Sequence, residues 1–235
     1  MSGEDEDTSV QFKKTKFLGN TAGNGGAILT LRVTLRVIDS SFTSNTAIRT
    51  GGAIVFLGTA SVSSIVGSSF ERNTADVQGD LQTEKGRSSS DPFDMWTSGQ
   101  QWIQSSVIGA GAVFIQAVES FRMIDNEFRE NRAQQGGAVV FNGRNNAAEL
   151  ILARCLFQAN EARASGGAVH VNAGSILICE QNEFHDNSAS AGGAICLETG
   201  SKMRSFLQAN EQVLFQNNSA VRGGAINCYL CGKRL

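Results

Sequence analysis

Thiols, imidazoles and clustered carboxylates are the side chains of this 235-residue chain that could do chemistry, and few of them are spaced for it. Its five cysteines, Cys155, Cys179, Cys196, Cys228 and Cys231, all fall in the second half. An odd number so distributed is no disulfide framework. Cys228 and Cys231 form a C-x-x-C pair that fits a disulfide, half of a zinc site, or two unremarkable thiols. A structural zinc needs four ligands and no second pair lies nearby, so no metal is assigned. His170 and Cys196 stand 26 residues apart, which is one period of the repeat described below, and cysteine beside histidine is the minimum for a thiolate nucleophile. With no third orienting group or oxyanion site in view, the two are read as neighbours by coincidence, and His185 as a surface side chain. Asp125, Glu127 and Glu130 are the carboxylates to weigh for polysaccharide cleavage, where such groups act as acid and base or hold calcium. Alternation and the intervening Phe128 keep them from one pocket, and they are read as solvated charges. The expectation is therefore no catalytic residue, no cofactor and no metal.

Composition narrows the classes further. The net charge is −2, and Glu4, Asp5, Glu6 and Asp7 supply four negative charges, so the remainder is near balance. There is no basic footprint for nucleic acid. No apolar run is long enough to span a bilayer, and the chain starts hydrophilic and acidic rather than as a signal peptide. With 41% hydrophobic and 18% charged residues, one elongated domain with a continuous apolar interior is expected. The 26 glycines and single proline suit many tight corners between repeated strands.

The elements that must position these groups come from an internal repeat, Phe-x-x-Asn-x-Ala followed by Gly-Gly-Ala-(Ile/Val). Six copies are complete: Phe17, Asn20, Gly25 and Gly26; Phe42, Asn45, Gly51 and Gly52; Phe128, Asn131, Gly136 and Gly137; Phe157, Asn160, Gly166 and Gly167; Phe184, Asn187, Gly192 and Gly193; Phe215, Asn218, Gly223 and Gly224. A seventh, from Phe70 through Asn73 and Ala75, decays into Gln78-Gly79-Asp80-Leu81. An eighth is read from Trp102, Ser105, Val107 and Ala110-Gly111-Ala112-Val113. Successive second glycines are then 26, 27, 32, 26, 30, 26 and 31 residues apart.

Helical repeats do not fit, because recurring Gly-Gly costs a helix about 1 kcal/mol per glycine and the units are rich in Val, Ile, Phe, Thr and Ser. Strands do fit. The second residue after each glycine pair is aliphatic (Ile28, Ile54, Leu81, Val113, Val139, Val169, Ile195, Ile226), and two further on the column is again mostly apolar. Between them lies a mixed column that includes His170 and Cys196, so the period is two with one buried face. The expected fold is all-β: a single-stranded, right-handed parallel β-helix of about eight coils. Residues 1–11 are read as an acidic flexible tail and 12–235 as the solenoid, with an inserted loop at about 83–100. In such a stack the Phe column would pile rings along the interior, and the Asn column would bond backbone and the Asn one coil away. The glycines would allow positive φ and close approach.

Length variation is expected on one flank, after the strand that follows Gly-Gly-Ala: 57–61, 142–146, 172–175, 198–202 and, longest, 83–100. Phe93 and Trp96 in that insertion are candidate partner contacts.

The tandem Phe-x-x-Asn and Gly-Gly-Ala-Ile motifs resemble the repeats of the chlamydial polymorphic membrane proteins, whose passenger domains are β-helical autotransporter adhesins. They are also similar to repeats of protist and algal surface proteins. The resemblance covers residues 12–231. It implies an adhesive role carried by Phe17, Asn20, Gly25, Gly26, Ala27, Ile28 and their counterparts. The chain departs from that family in showing neither signal peptide nor C-terminal barrel, and it stops at Leu235 without a cap, so it is expected to be a piece of a longer protein. The functional expectation is a non-enzymatic structural or adhesive module, extracellular or at a cell surface, binding a protein or glycan along a sheet face or the loop flank. Two alternatives stand beside it: a carbohydrate-active lyase or hydrolase, and a scaffold contacting neighbouring subunits of an assembly. Neither nucleic acid nor a transmembrane segment enters any of these readings.

Overall fold

The structure, a computed structural model, describes residues 8–58, 63–75, 109–143, 145–205 and 212–229. Each coil contributes four short strands, and each strand pairs in parallel with its equivalent one coil on, giving four seven-stranded sheets. In the second coil the strands are Thr34–Ile38, Ser41–Thr43, Thr46–Thr50 and Ile54–Leu57. Their sheets are called I, II, III and IV here. The fold is a parallel β-solenoid, with no helix among the described residues. Seven strands per sheet make six steps of about 4.8 Å, a rod of roughly 30 Å.

Register overturns part of the expected coil order. Phe70 pairs directly with Phe128, and Val113 pairs with Ile54 on one side and Val139 on the other. Ala112-Val113 therefore closes the coil that Phe70 opens, and there are seven coils among the described residues, not eight. The columns pass directly from Phe70 to Phe128 and from Ile54 to Val113; Leu81 and Trp102 lie outside the described residues, as do Gln78-Gly79-Asp80, Thr83, Ser105 and Val107. In sequence the insertion falls between the sheet III strand that ends at Ala75 and the sheet IV strand that begins at Val113. This is one corner earlier than expected, whereas the shorter excursions do fall between sheets IV and I. The first strand, Ser9–Lys13, already pairs with Thr34–Ile38, so the solenoid starts ahead of residue 12.

Alternation explains which side chains fill the interior. In Thr34–Ile38, Leu35 and Val37 are fully buried and Arg36 is exposed. The Phe column forms one file, with successive ring centroids 4.6–4.9 Å apart and planes within 10° of parallel. That distance is the strand spacing, so rings in register must stack. Aliphatic side chains of sheets I and IV complete a single core running the length of the rod.

Two polar ladders turn the corners on either side of the Phe file. At the II–III corner, Asn131 Oδ1 accepts from both the backbone N–H and Nδ2 of Asn73, at 3.0 Å each, while Asn131 Nδ2 donates to the Phe70 carbonyl at 2.9 Å. The same pattern links Asn20, Asn45, Asn73, Asn131, Asn160, Asn187 and Asn218. Burial of these amides is tolerable because their bonds are made. A second ladder, not anticipated from the sequence, runs at the I–II corner through Thr15, Ser40, Ser68, Asn126, Cys155 and Asn182. There, side-chain acceptors take the backbone N–H of the preceding member at 2.9–3.1 Å. Every member stands two residues before a Phe of the file, and that fixed offset is the signal by which it could have been found.

Candidate functional site

Sheet II is the most regular outer surface. In six coils both corners that bound its three-residue strands are two residues long, and in the seventh the I–II corner runs from 205 to 213. Its outward columns carry side chains of both charges and of neutral polar type, with Glu127 exposed and Glu71, Arg129 and Gln158 half-buried, and in the first coil the exposed Leu18. Arg129 donates to Gln158 in the next coil and pairs with Glu127 at 3.2 Å. Beside this face, at the I–II corner, a groove is lined by Lys14, Lys16, Asp39, Ser41, Ser69, Asp125 and Glu127. Its floor passes over Gly67, which has left-handed φ and no side chain to fill the space.

Of the three carboxylates weighed for catalysis, two share one groove, contrary to the expectation that alternation keeps them apart, and the third stands elsewhere. Asp125 and Glu127 line the groove, while Glu130 occupies the left-handed corner at the other end of the strand. Asp125 makes a bidentate pair with Arg154 of the next coil, 2.6 Å from Nε and 3.0 Å to Nη2. The guanidinium's hydrogen bonds hold the Asp125 carboxyl below the usual carboxylate range. With both partners half exposed, the pair contributes about 1 kcal/mol or less. His185 sits on sheet II, its Nε2 2.9 Å from Glu183.

His170 and Cys196 are true register partners on sheet IV, with 1% and 0% exposure. Burial pushes the imidazole down to about 4 and the thiol up, which disfavours the thiolate–imidazolium pair that a nucleophile would need. His170 Nδ1 lies 3.0 Å from Ser165 Oγ, and Nε2 lies 3.1 Å from Asn172 Oδ1. Glu198 completes the group, with Oε1 3.8 Å from His170 Nε2; the sequence reading missed it because it stands in the variable flank. Cys155 and Cys179 are free thiols in the core, and Cys228 is disulfide-bonded, one of the three states left open for the C-x-x-C pair. Cys231, Phe93 and Trp96 lie outside the described residues.

Sequence comparison agrees with the repeat. The pattern of the Chlamydia polymorphic membrane protein (Chlamydia_PMP) repeat matches residues 14–31 and 212–229, in the first and last coils. The chain is also similar to the probable outer membrane protein PmpI of Chlamydia trachomatis serovar D, 39% identical over 64 residues. That match covers 27% of this chain and 7% of the relative, so only a small part of the relative's length is represented. No solved structure matches. The chain thus carries repeats resembling those of polymorphic membrane proteins, on a β-solenoid that fits an adhesin-like surface module. Among the described residues, no helix is long and apolar enough to cross a membrane, which says nothing of β-barrels.

Proposed function

We propose that this chain is a rigid, non-enzymatic module of an extracellular or surface-displayed protein, which offers a protein or glycan partner the outer face of sheet II and the groove beside it. The observation that carries this reading is the two-residue corner on both sides of sheet II in six successive coils, which keeps its strands level there; the seventh coil departs from it, with a longer I–II corner between Arg204 and Leu214. A partner laid along the rod meets the same side-chain position every 4.8 Å or so. The groove's hydroxyls, carboxylates and lysines suit a polar partner such as a glycan, and the likeness to surface-protein repeats supports display outside the cell.

The test is a binding screen of the intact chain against glycans and cell surfaces, repeated with Asp39→Lys combined with Glu71→Lys, and with residues 83–100 deleted. We expect the double substitution to abolish binding and the deletion to leave it. Loss on deletion alone would move the contact to the loop that holds Phe93 and Trp96. Turnover of any polysaccharide would end the non-enzymatic reading.

A further inference from the structure

Outside the proposed binding face, the structure brings together three metal-ligating side chains of three different kinds. One ring nitrogen of His170, the Sγ of Cys196 and a carboxylate oxygen of Glu198 all lie within 4.8 Å of one another. The fold makes this meeting, because His170 and Cys196 are cross-strand partners in adjacent coils and Glu198 follows Cys196 by two residues, on the same side of the strand. Asn172 stands in the equivalent place after His170. Its Oδ1 is 3.1 Å from His170 Nε2, and its buried Nδ2 has no hydrogen-bond partner.

We infer that His170, Cys196 and Glu198 form a binding site for a single transition-metal ion of the Zn²⁺ type, with Asn172 Oδ1 as the fourth donor. A tetrahedral ion with bonds of about 2.0–2.3 Å holds its ligand atoms some 3.3–3.8 Å apart. The 3.8 Å from Nε2 to Glu198 Oε1 already meets this, and the rest requires a contraction of up to about 1 Å. Glu198 can supply it, since its side chain is 34% exposed while His170 is fixed in the wall. Ser165 Oγ, 3.0 Å from Nδ1, is placed to accept the second ring N–H and so orient Nε2 toward the ion. A mixed nitrogen, sulfur and oxygen set suits Zn²⁺ and Co²⁺ better than Mg²⁺ or Ca²⁺, which take oxygen alone. On binding, the thiol proton leaves to solvent and the sulfur enters as thiolate. The ion would clamp two adjacent coils at the point where this column of sheet IV turns from Val55, Phe114 and Val140 to His170 and Cys196.

The probe is Co²⁺ added to the full chain after removal of metal, without reductant so that the Cys228 disulfide is kept. We expect one equivalent to produce a thiolate-to-cobalt charge-transfer absorption, one equivalent of Zn²⁺ to displace it, and Zn²⁺ to raise the melting temperature. The absorption should vanish in Cys196→Ser, with the far-UV spectrum showing that this variant is folded. Glu198→Gln, on the open side, cannot disturb the core and should weaken Co²⁺ binding about tenfold or more. No charge-transfer band in the wild type, a band that persists in Cys196→Ser, or unchanged affinity in Glu198→Gln would each overturn the site.

Discussion

Each Gly-Gly pair with a further coil packed on it rejects a side chain at its two positions for different reasons. The first glycine (Gly51, Gly136, Gly166 and their equivalents) is left-handed, and a Cβ there would meet the carbonyl of the residue three further on. The second has ordinary φ, but its coil passes so close to the next that a Cβ on Gly137 would overlap the carbonyl oxygen of Gly167, well inside the 3.0 Å that such contacts keep. Left-handed φ alone is not the obstacle, because the other corners hold Asp39, Ser44, Arg72, Glu130 and Asp186 in that region. Gly137→Ala should accordingly destabilise by about 3 kcal/mol or more, since neighbouring coils must separate. Gly19→Ala, at φ +64 with nothing within 4 Å, should cost only about 1–2 kcal/mol. Equal urea midpoints for the two variants would refute the contact argument. The core thiols make a second residue-scale test. Burial pushes Cys155 up to about 11 and Cys179 up to about 12, from an unfolded value near 9. A folded state that holds its protons more tightly is favoured below the unfolded pKa, and that advantage fades as pH rises from 9 toward 12. Urea midpoints should fall across that window in the wild type and less steeply in a Cys155→Ala, Cys179→Ala variant.

At the scale of the element, the Phe file and the Asn ladder were legible from sequence, whereas the I–II ladder was not. The Phe and Asn positions keep one residue type because ring stacking and a two-armed amide have no close substitute. The I–II corner asks only for a short side chain that can accept one N–H, so Ser40, Ser68, Asn126 and Asn182 all serve, and a search for identical residues passes over them. This difference in demand sets the cost of substitution. Asn131→Leu removes the acceptor for two donors of Asn73 and the donor to the Phe70 carbonyl, all buried, and should destabilise by about 3–5 kcal/mol. Ser68→Ala orphans the Ser40 N–H and loses the hydroxyl's bond to the Val66 carbonyl, and should cost about 1–2 kcal/mol. Denaturant unfolding of the two single variants would decide, and a larger loss for Ser68→Ala would mean that the corners are ranked wrongly here.

For the whole molecule, repetition both revealed the fold and misled the count. Solenoid architecture followed from columns that recur through the chain, while the number of coils failed where an insertion of about one period carried Gln78-Gly79-Asp80-Leu81 and Trp102 at offsets that imitate a coil. Only register separates the two cases: Thr74 pairs with both Thr46 and Arg132, so the strands on either side close the same coil. The His170 group was legible as a pair but not as a set, since Glu198 and Asn172 stand where coil lengths vary. A solenoid is stabilised by contacts between neighbouring coils, so a segment outside the repeat should be separable from it. Replacing residues 76–110 by Ile-Arg-Thr-Gly, the run found at 48–51, restores the usual spacing between Ala75 and Gly111. Closing a shorter loop favours folding by about 2 kcal/mol. Against this stands a second apolar cluster of Val55, Leu57, Ala110, Phe114 and Val140 on the outer side of sheet IV, next to the point of return. We expect the shortened chain to keep the β far-UV spectrum and to melt cooperatively, at or above the wild-type temperature. Dye binding to newly exposed apolar surface together with a lower melting temperature would show instead that this cluster depends on the replaced residues, and that the insertion is part of the folded rod.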